Sequence, residues 1–578
     1  MRTVNLAAIH HINWLEYRHT LPDGRVCIRL RTARGDWERV LLHIADMYGP
    51  GAPTKRTEAV PMACRFQDDQ FDYYEAVVRR TDPRNSYYFS LSQGGLTVLL
   101  DEDGIKSPGE AIQCFPYNYA YPAEKKPDWA CGAVGYQVFP DRFRRAGKHE
   151  KGLEKWGSKR VQNHYRFGGN LRGIREAVPY LQELGVGILY MTPIFVSDTS
   201  HRYNTFDYYT IDPLLGSEED LRDLVQALHA AGIRILLDGV FNHSGTAFAP
   251  FMDAKENGRE SAYYDWFHFH PDGQGYRCFA HEPSMPKLNL QTPAAQAYFC
   301  DVGRYWIERC GIDGWRLDVS PEVWPDFWRM FRRVVKAANP DAILVAECWD
   351  DSREWITPGD MFDSTMHYVL SRAMWGFFAE KTLSLSQFDS RINRAMMLYP
   401  LQNQAVLWNF LGSHDTMRML TRCGENETAM RAAVFFQMTH PGVPIVYYGD
   451  ELGMTGGDDP YCRHSMRWDW VEGNAMLAYY RRLIALRNES AALRHGSFRT
   501  WHVDAENGVY AYLRETDEEM ALCVLATGEK ATEALVPLPE GWRGESSLLD
   551  QVSGEACAVV AGQVKLTMLP GHGFVFGG

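Results

Sequence analysis

Residues Gly311–Ser320 read GIDGWRLDVS, and this stretch joins a helical run to the strand around which the rest of the chain is arranged. Thr292 and Pro293 open that run, Gly311 ends it, and a short apolar strand follows at once. Side chains two apart on a strand point to the same side, so Arg316 and Asp318 share a face. A guanidinium beside a carboxylate favours its ionised form, which is what a carboxylate nucleophile requires. The same pair also reads as a plain ion pair at a strand end, and ten residues do not choose between the two.

Working outward, the same strand–loop–helix rhythm recurs on both sides. Ala133–Phe139 is a strand that ends in PDRF. Leu171–Leu184 reads as one helix closed by Gly185, with a buried strand at Val186–Met191. Ser217 caps the next helix, with Glu218, Glu219 and Asp220 in its favourable first turn. Leu221, Leu224, Val225 and Leu228 then fall at helical spacing, Gly232 stops the run, and Ile233–Asp238 is a strand. Ile343–Glu347, Val406–Leu411 and Val443–Tyr448 repeat the pattern downstream.

Repeated units of this kind imply a parallel sheet covered by helices, either an open doubly wound sheet or a (β/α)8 barrel. No glycine-rich phosphate turn follows the first strand. Instead Asp141, Asp238, His243, Asp318, Glu347, His414 and Asp415 come just after strand ends, which is how barrel enzymes assemble one site. The fold expected is therefore α/β, a TIM barrel over residues 127–243 and 291–490, with residues 244–290 as a small inserted subdomain over its mouth. Residues 1–126 carry short strands such as Val26–Arg31 and Tyr87–Leu91 between turns at Pro22-Asp23-Gly24 and Gly94-Gly95, an N-terminal β-sandwich ending in a linker at Tyr117–Lys126. Residues 491–578 repeat the antiparallel pattern at Val509–Arg514, Glu519–Ala526 and Val564–Met568, a C-terminal β-sandwich.

Composition narrows the function classes. A net charge of −13 over 578 residues argues against nucleic acid or an anionic membrane as partner. No apolar run is long enough to span a bilayer, and no secretory signal is seen. The 12 cysteines lack C-x-x-C pairs, so reduced thiols in a cytoplasmic protein are expected. Seventeen Trp and thirty Tyr supply both core and flat platforms for sugar faces.

Three acids stand at three strand ends: Asp318, Glu347 and Asp415. Glu347 follows the apolar run AILVA and adjoins Trp349, so desolvation is expected to raise its pKa toward that of a general acid. Asp318, beside Arg316, is expected to stay ionised. Two carboxyls with divergent pKa values are the mark of glycoside hydrolysis, and a retaining enzyme places them about 5–5.5 Å apart. Asp415 would hold sugar hydroxyls as charge develops. His243 and His414 fit as donors to ring hydroxyls. Asp238, His243, Asp318 and His414 also fit a metal in principle, but HxxH or HxxE spacing is absent, so no metal site is expected.

With these residues in place the chain resembles the α-amylase family of glycoside hydrolases. DGVFNH at Asp238–His243, GWRLDVSPE at Gly314–Glu322, AECW at Ala346–Trp349 and LGSHD at Leu411–Asp415 are similar to that family's blocks, in family order. The resemblance implies a nucleophile at Asp318, an acid/base at Glu347 and a transition-state stabiliser at Asp415. It also implies that His201, Tyr203, His243, Arg316, Glu322, Trp349, His414, Asp459 and Arg463 bind substrate. MPKLN at Met285–Asn289 and the extra N-terminal β-domain resemble the neopullulanase, cyclomaltodextrinase and maltogenic amylase group. Membership there would imply α-1,4 cleavage in cyclodextrins, maltooligosaccharides and pullulan or starch, some transglycosylation, and a homodimer through the N-terminal domain.

Three departures stand out. After Phe143 the chain reads RRAGKHEKGLEKW where relatives carry Asn/Asp-rich calcium ligands, and basic residues do not coordinate calcium. Asn242 matches another calcium-ligand position of the family. No cofactor is required by the chemistry. VSPE replaces the usual VANE, with Glu322 retained, and Cys462 replaces a frequent Asn. The rival readings are an isomerase or glucosyltransferase on the same scaffold, and a silent carbohydrate-binding relative. The latter class loses at least one of the three acids, all of which are present here.

Overall fold

The computed structural model describes residues 3–577 except 49–53, 55–56, 81, 83, 118–124, 148–151 and 273. Most of the expected linker at Tyr117–Lys126 and part of the basic loop after Phe143 therefore lie outside the described residues.

Eight short parallel strands form the central sheet: β1 Gly135–Val138, β2 Ile188–Met191, β3 Arg234–Gly239, β4 Gly314–Leu317, β5 Ile343–Ala346, β6 Ser364–Thr365, β7 Trp408–Phe410 and β8 Val443–Tyr447. Their order is β6-β5-β4-β3-β2-β1-β8-β7. A parallel bridge between Met366 and Trp408 joins the two ends, and the His367 amide donates to the Trp408 carbonyl at 2.9 Å. That contact closes the sheet and makes it a (β/α)8 barrel. Every residue of β1, β2 and β4 is buried, as expected of strands covered on both faces.

The helices begin and end where local chemistry directs. Ser217 and Asp220 form a capping box, and Gly232 and Gly311 take the left-handed conformation that terminates a helix. One expectation fails. Leu171–Leu184 is two helices, Leu171–Glu176 and Val178–Leu184, parted at Ala177. Pro179 lacks the amide hydrogen a continuous helix would use and its ring crowds the preceding turn.

Before the barrel, two antiparallel sheets pack face to face around Ile28, Leu30, Leu42, Ile44, Phe89 and Leu91. Two four-stranded sheets follow it, around Leu513, Leu522, Val536 and Leu566. Residues 244–290 carry one helix, Ala249–Asn257, and four isolated bridges, including His243 with Lys287. A ring cluster of Phe251, Phe267, Phe269 and Tyr276 holds this insertion together.

Buried charge fastens the N-terminal sandwich to the barrel. Arg29 pairs with Glu75 at 2.9 Å and also donates to the Tyr399 carbonyl at 3.1 Å. Asp363, just ahead of β6, is fully buried among Lys126 at 3.2 Å, Arg332 at 2.9 Å and Lys336 at 3.2 Å. Burial alone would raise this carboxyl, but the three cations outweigh it and hold Asp363 well below the usual carboxylate range. The stability it contributes is therefore present above the ordinary aspartate pKa and lost only in strong acid. Asp363→Ala removes the carboxylate shared by buried Lys126 and Arg332 and half-buried Lys336, and should cost about 3–5 kcal/mol. The check is the urea midpoint at neutral pH, where an unchanged midpoint would show that the cluster does not hold the domains.

Candidate active site

The site lies at the C-terminal mouth of the barrel. Arg316 is on β4, Asp318 directly after it, and Glu347 directly after β5. Asp238 is one residue from the end of β3. Asp415 sits on the loop beyond β7. Pleat alternation in β4 turns Arg316 toward the same space as Asp318, and its Nη1 donates to Asp318 Oδ1 at 2.8 Å. The same Nη1 lies 3.0 Å from both oxygens of Asp238, and Nη2 lies 2.8 Å from Glu347 Oε1. One fully buried guanidinium thus serves three carboxyls.

This sharing changes the expected charge assignment. Burial first, then the neighbouring Glu347, pushes the Asp318 carboxyl well above the usual range, with Arg316 pulling the other way. Burial likewise pushes Asp238 up to about 6. The sequence had pointed to an ionised Asp318, which overlooked that Arg316 divides its charge among three acids. The two carboxyls also differ in their hydrogen bonds. Glu347 accepts from the Val319 amide at 2.9 Å and from Trp349 Nε1 at 3.1 Å, whereas Asp318 accepts from Arg316.

The cleft measures about 740 Å³ and brings together residues from most strand ends and from the insertion. His201, Tyr203, His243, Asp318, Glu322, Glu347, Trp349, Asp415, Asp459 and Arg463 all line it. Arg316 and His414 do not; both are fully buried beneath its floor. His414 therefore acts from behind. The Gln137 side-chain amide lies 2.6 Å from its Nδ1, which leaves the ring proton on Nε2, 3.1 Å from Asp415 Oδ2. Its ring also stacks on Tyr203, with 5° between the planes. Tyr203 in turn donates to Asp238 at 2.9 Å.

All three histidines are neutral near pH 7. Burial lowers His201 and His243 to about 3, and lowers His414 well below its ordinary value. On the opposite wall Arg463 spans Asp459 at 2.8 Å, Asp415 at 3.1 Å and the His414 carbonyl at 2.7 Å. Trp349 stacks on Tyr368 at 4.5 Å and keeps 44% of its surface exposed, a flat face beside Glu347. Other lining residues carried no sequence signal. Phe279 reaches the cleft from the insertion and stacks on His243 at 4.9 Å, and Asn163 comes from the loop after β1. No spacing marks either residue.

Calcium does not fit the described residues. Arg144 and Arg145 follow Phe143, and the Asn242 side-chain oxygen already accepts from the Lys287 ammonium, which also contacts Glu322 Oε2 at 3.1 Å. Among the described residues no group of three His, Cys, Asp or Glu is placed to hold a metal ion.

An alpha-amylase catalytic-domain profile matches residues 137–277 and 273–496, and an alpha-amylase N-terminal ig-like profile matches residues 4–122. The chain belongs to the α-amylase family. It is a glycoside hydrolase, and its relatives extend the likeness over the whole chain. It is 40% identical to neopullulanase 2 of Thermoactinomyces vulgaris over 99% of both chains. It is 38% identical to a cyclomaltodextrinase of Geobacillus thermopakistaniensis over 98% of both. A solved cyclomaltodextrinase structure superposes with a TM-score of 0.92 at 36% identity, covering 99% of this chain and 100% of the other.

The acid limb of kcat/KM in this α-amylase family enzyme should sit above the ordinary aspartate value of about 3.9, because Asp318 must lose its proton to react. Arg316→Lys keeps a charge but cannot fork to three carboxyls. It should lower kcat/KM by about 10–100-fold and move the acid limb further up, since less positive charge then favours ionised Asp318. A limb that stays in place would show that Arg316 does not set the protonation of the pair.

Proposed function

We propose that the enzyme is a retaining hydrolase of α-1,4-glucosidic bonds that acts on cyclodextrins, maltooligosaccharides and pullulan or starch. The observation that carries this reading is the pair of carboxyls, Asp318 and Glu347, held on one buried guanidinium at the floor of a cleft rimmed by Tyr203 and Trp349. In the first step Glu347 gives its proton to the glycosidic oxygen, the C1–O bond breaks, and an Asp318 oxygen bonds to C1. A water then attacks C1 and gives a proton to Glu347 as the Asp318 ester bond breaks. For this to begin, Glu347 must carry a proton and Asp318 must be ionised. A glycosidic oxygen placed against Glu347 offers that proton an acceptor, while Arg316 stabilises Asp318 as it ionises. Asp415, braced by His414 and Arg463, accepts from sugar hydroxyls, and a sugar hydroxyl in place of water gives transfer in place of hydrolysis.

The specific group is supported by the names of the relatives and by MPKLN. Support for a reducing, cytoplasmic setting is that all 12 cysteines are free, and no helix of the described residues is long and apolar enough to cross a membrane. The N-terminal sandwich is read as the dimerising module, and the reaction as independent of metal.

Purified enzyme should release linear maltooligosaccharides from β-cyclodextrin, and Asp318→Asn should lower kcat by at least about 10³-fold with the fold intact. No product at high enzyme concentration, or a near-native Asp318→Asn rate, would remove the assignment. Activity and Tm should be unchanged by EDTA, and a fall in either that calcium restores would reverse the metal-free reading. Sedimentation should give twice the chain mass of 66.1 kDa, and a single-chain mass across micromolar concentrations would exclude the dimer.

A further inference from the structure

Val319, the residue after Asp318, has φ +44° and ψ +44°. A β-branched side chain in the left-handed region is strained, and such strain persists only where the surroundings impose it. The result of the strain is visible. With the chain turned this way, the Val319 amide donates to Glu347 Oε2 at 2.9 Å, and the next amide, that of Ser320, donates to the Glu347 main-chain carbonyl at 3.2 Å. Two consecutive amides of the nucleophile turn therefore grip Glu347 by its side chain and its backbone.

Ser320, one of the two residues that depart from the family block, ties this turn down. It is fully buried, its hydroxyl donates back to the Leu317 carbonyl at 2.7 Å, and its own carbonyl accepts from the Trp328 indole at 3.0 Å. Pro321 follows at the start of a 3₁₀ turn, Ser320–Glu322, where its restricted φ suits the turn and its missing amide hydrogen costs nothing. We propose that Ser320 is a positioning residue for the proton donor: its hydroxyl locks the turn that aims the Val319 amide at the Glu347 carboxyl. The nucleophile strand and the proton donor are thereby held in register through one side chain that touches neither the substrate nor the reacting atoms.

The inference rests on Glu347 being the proton donor, and the test separates the two. Ser320→Ala removes the hydroxyl without orphaning Leu317, whose carbonyl also accepts from the Glu347 amide at 3.0 Å. Hydrolysis of maltotriose, whose leaving alcohol needs a proton, should lose about 5–20-fold in kcat with KM within about 2-fold. α-Maltosyl fluoride, whose leaving group needs little proton help, should lose less than about 2-fold. Equal losses on both substrates, or none on either, would overturn the proposal. Val319→Gly gives a second reading if Ser320→Ala fails to fold, since glycine accepts φ +44° freely but does not enforce it. It should show the same leaving-group-selective loss without a lower Tm, and an unselective loss would overturn the proposal. Glu347→Gln, run alongside, should spare fluoride release in the first turnover, which precedes the step that needs Glu347 as base. If it abolishes both reactions equally, the reading of Glu347 as donor falls, whatever Ser320 does.

Discussion

A single buried guanidinium facing three carboxyls is the constraint on which this site depends. Arg316 touches Asp238, Asp318 and Glu347 at 2.8–3.0 Å; Arg316 and Asp238 are fully buried, and Asp318 and Glu347 are buried but for the edge each shows to the cleft. One cation does not neutralise three anions, and a buried uncompensated charge is costly, so the cluster keeps protons that isolated carboxyls would lose. The nucleophile and its partner acid are then not two residues with separate titrations but one coupled unit. Acid/base chemistry near neutral pH follows from that sharing.

The barrel and its additions keep the unit dry and fixed. Closure through Met366 and Trp408 lets β3, β4 and β5 stand side by side, so that Asp238, Arg316 and Glu347 project into one space. The insertion adds Phe279 and Met285 to the wall, and its Lys287 ammonium is held against Asn242 and Glu322. Buried ion pairs do similar work at the far end, where Asp363 ties helix, strand and linker together. The same rule explains both ends. In both clusters the ratio of cations to anions decides whether a carboxyl is pushed up, as at Asp318, or held down, as at Asp363.

Much of this is legible in the chain because local signals dictate it. Gly232 and Gly311 stop helices wherever they stand, Ser217 caps whatever follows, and an apolar run ending in an acid places that acid at a strand end. Those rules act over a few residues, so the barrel class and the three acids at strand ends are written in the linear order, whereas most lining residues were indicated only by the family resemblance. Pro179 was legible by the same rules, and the split of its helix follows from the missing amide hydrogen.

What the tertiary structure alone decides are the quantities that depend on distance between segments far apart in sequence. Whether Arg316 serves one carboxyl or three cannot be read from its two-residue spacing to Asp318, because Asp238 lies 78 positions away and Glu347 comes from another strand. Hence Asp318, expected to stay ionised, is pushed up, and His414 sits behind the cleft with Gln137 against its Nδ1. The chain order determines which side chains reach the barrel mouth, since side-chain direction follows from the pleat and the strand end. Their protonation belongs to the folded state, since burial and shared charge exist only after the strands have met.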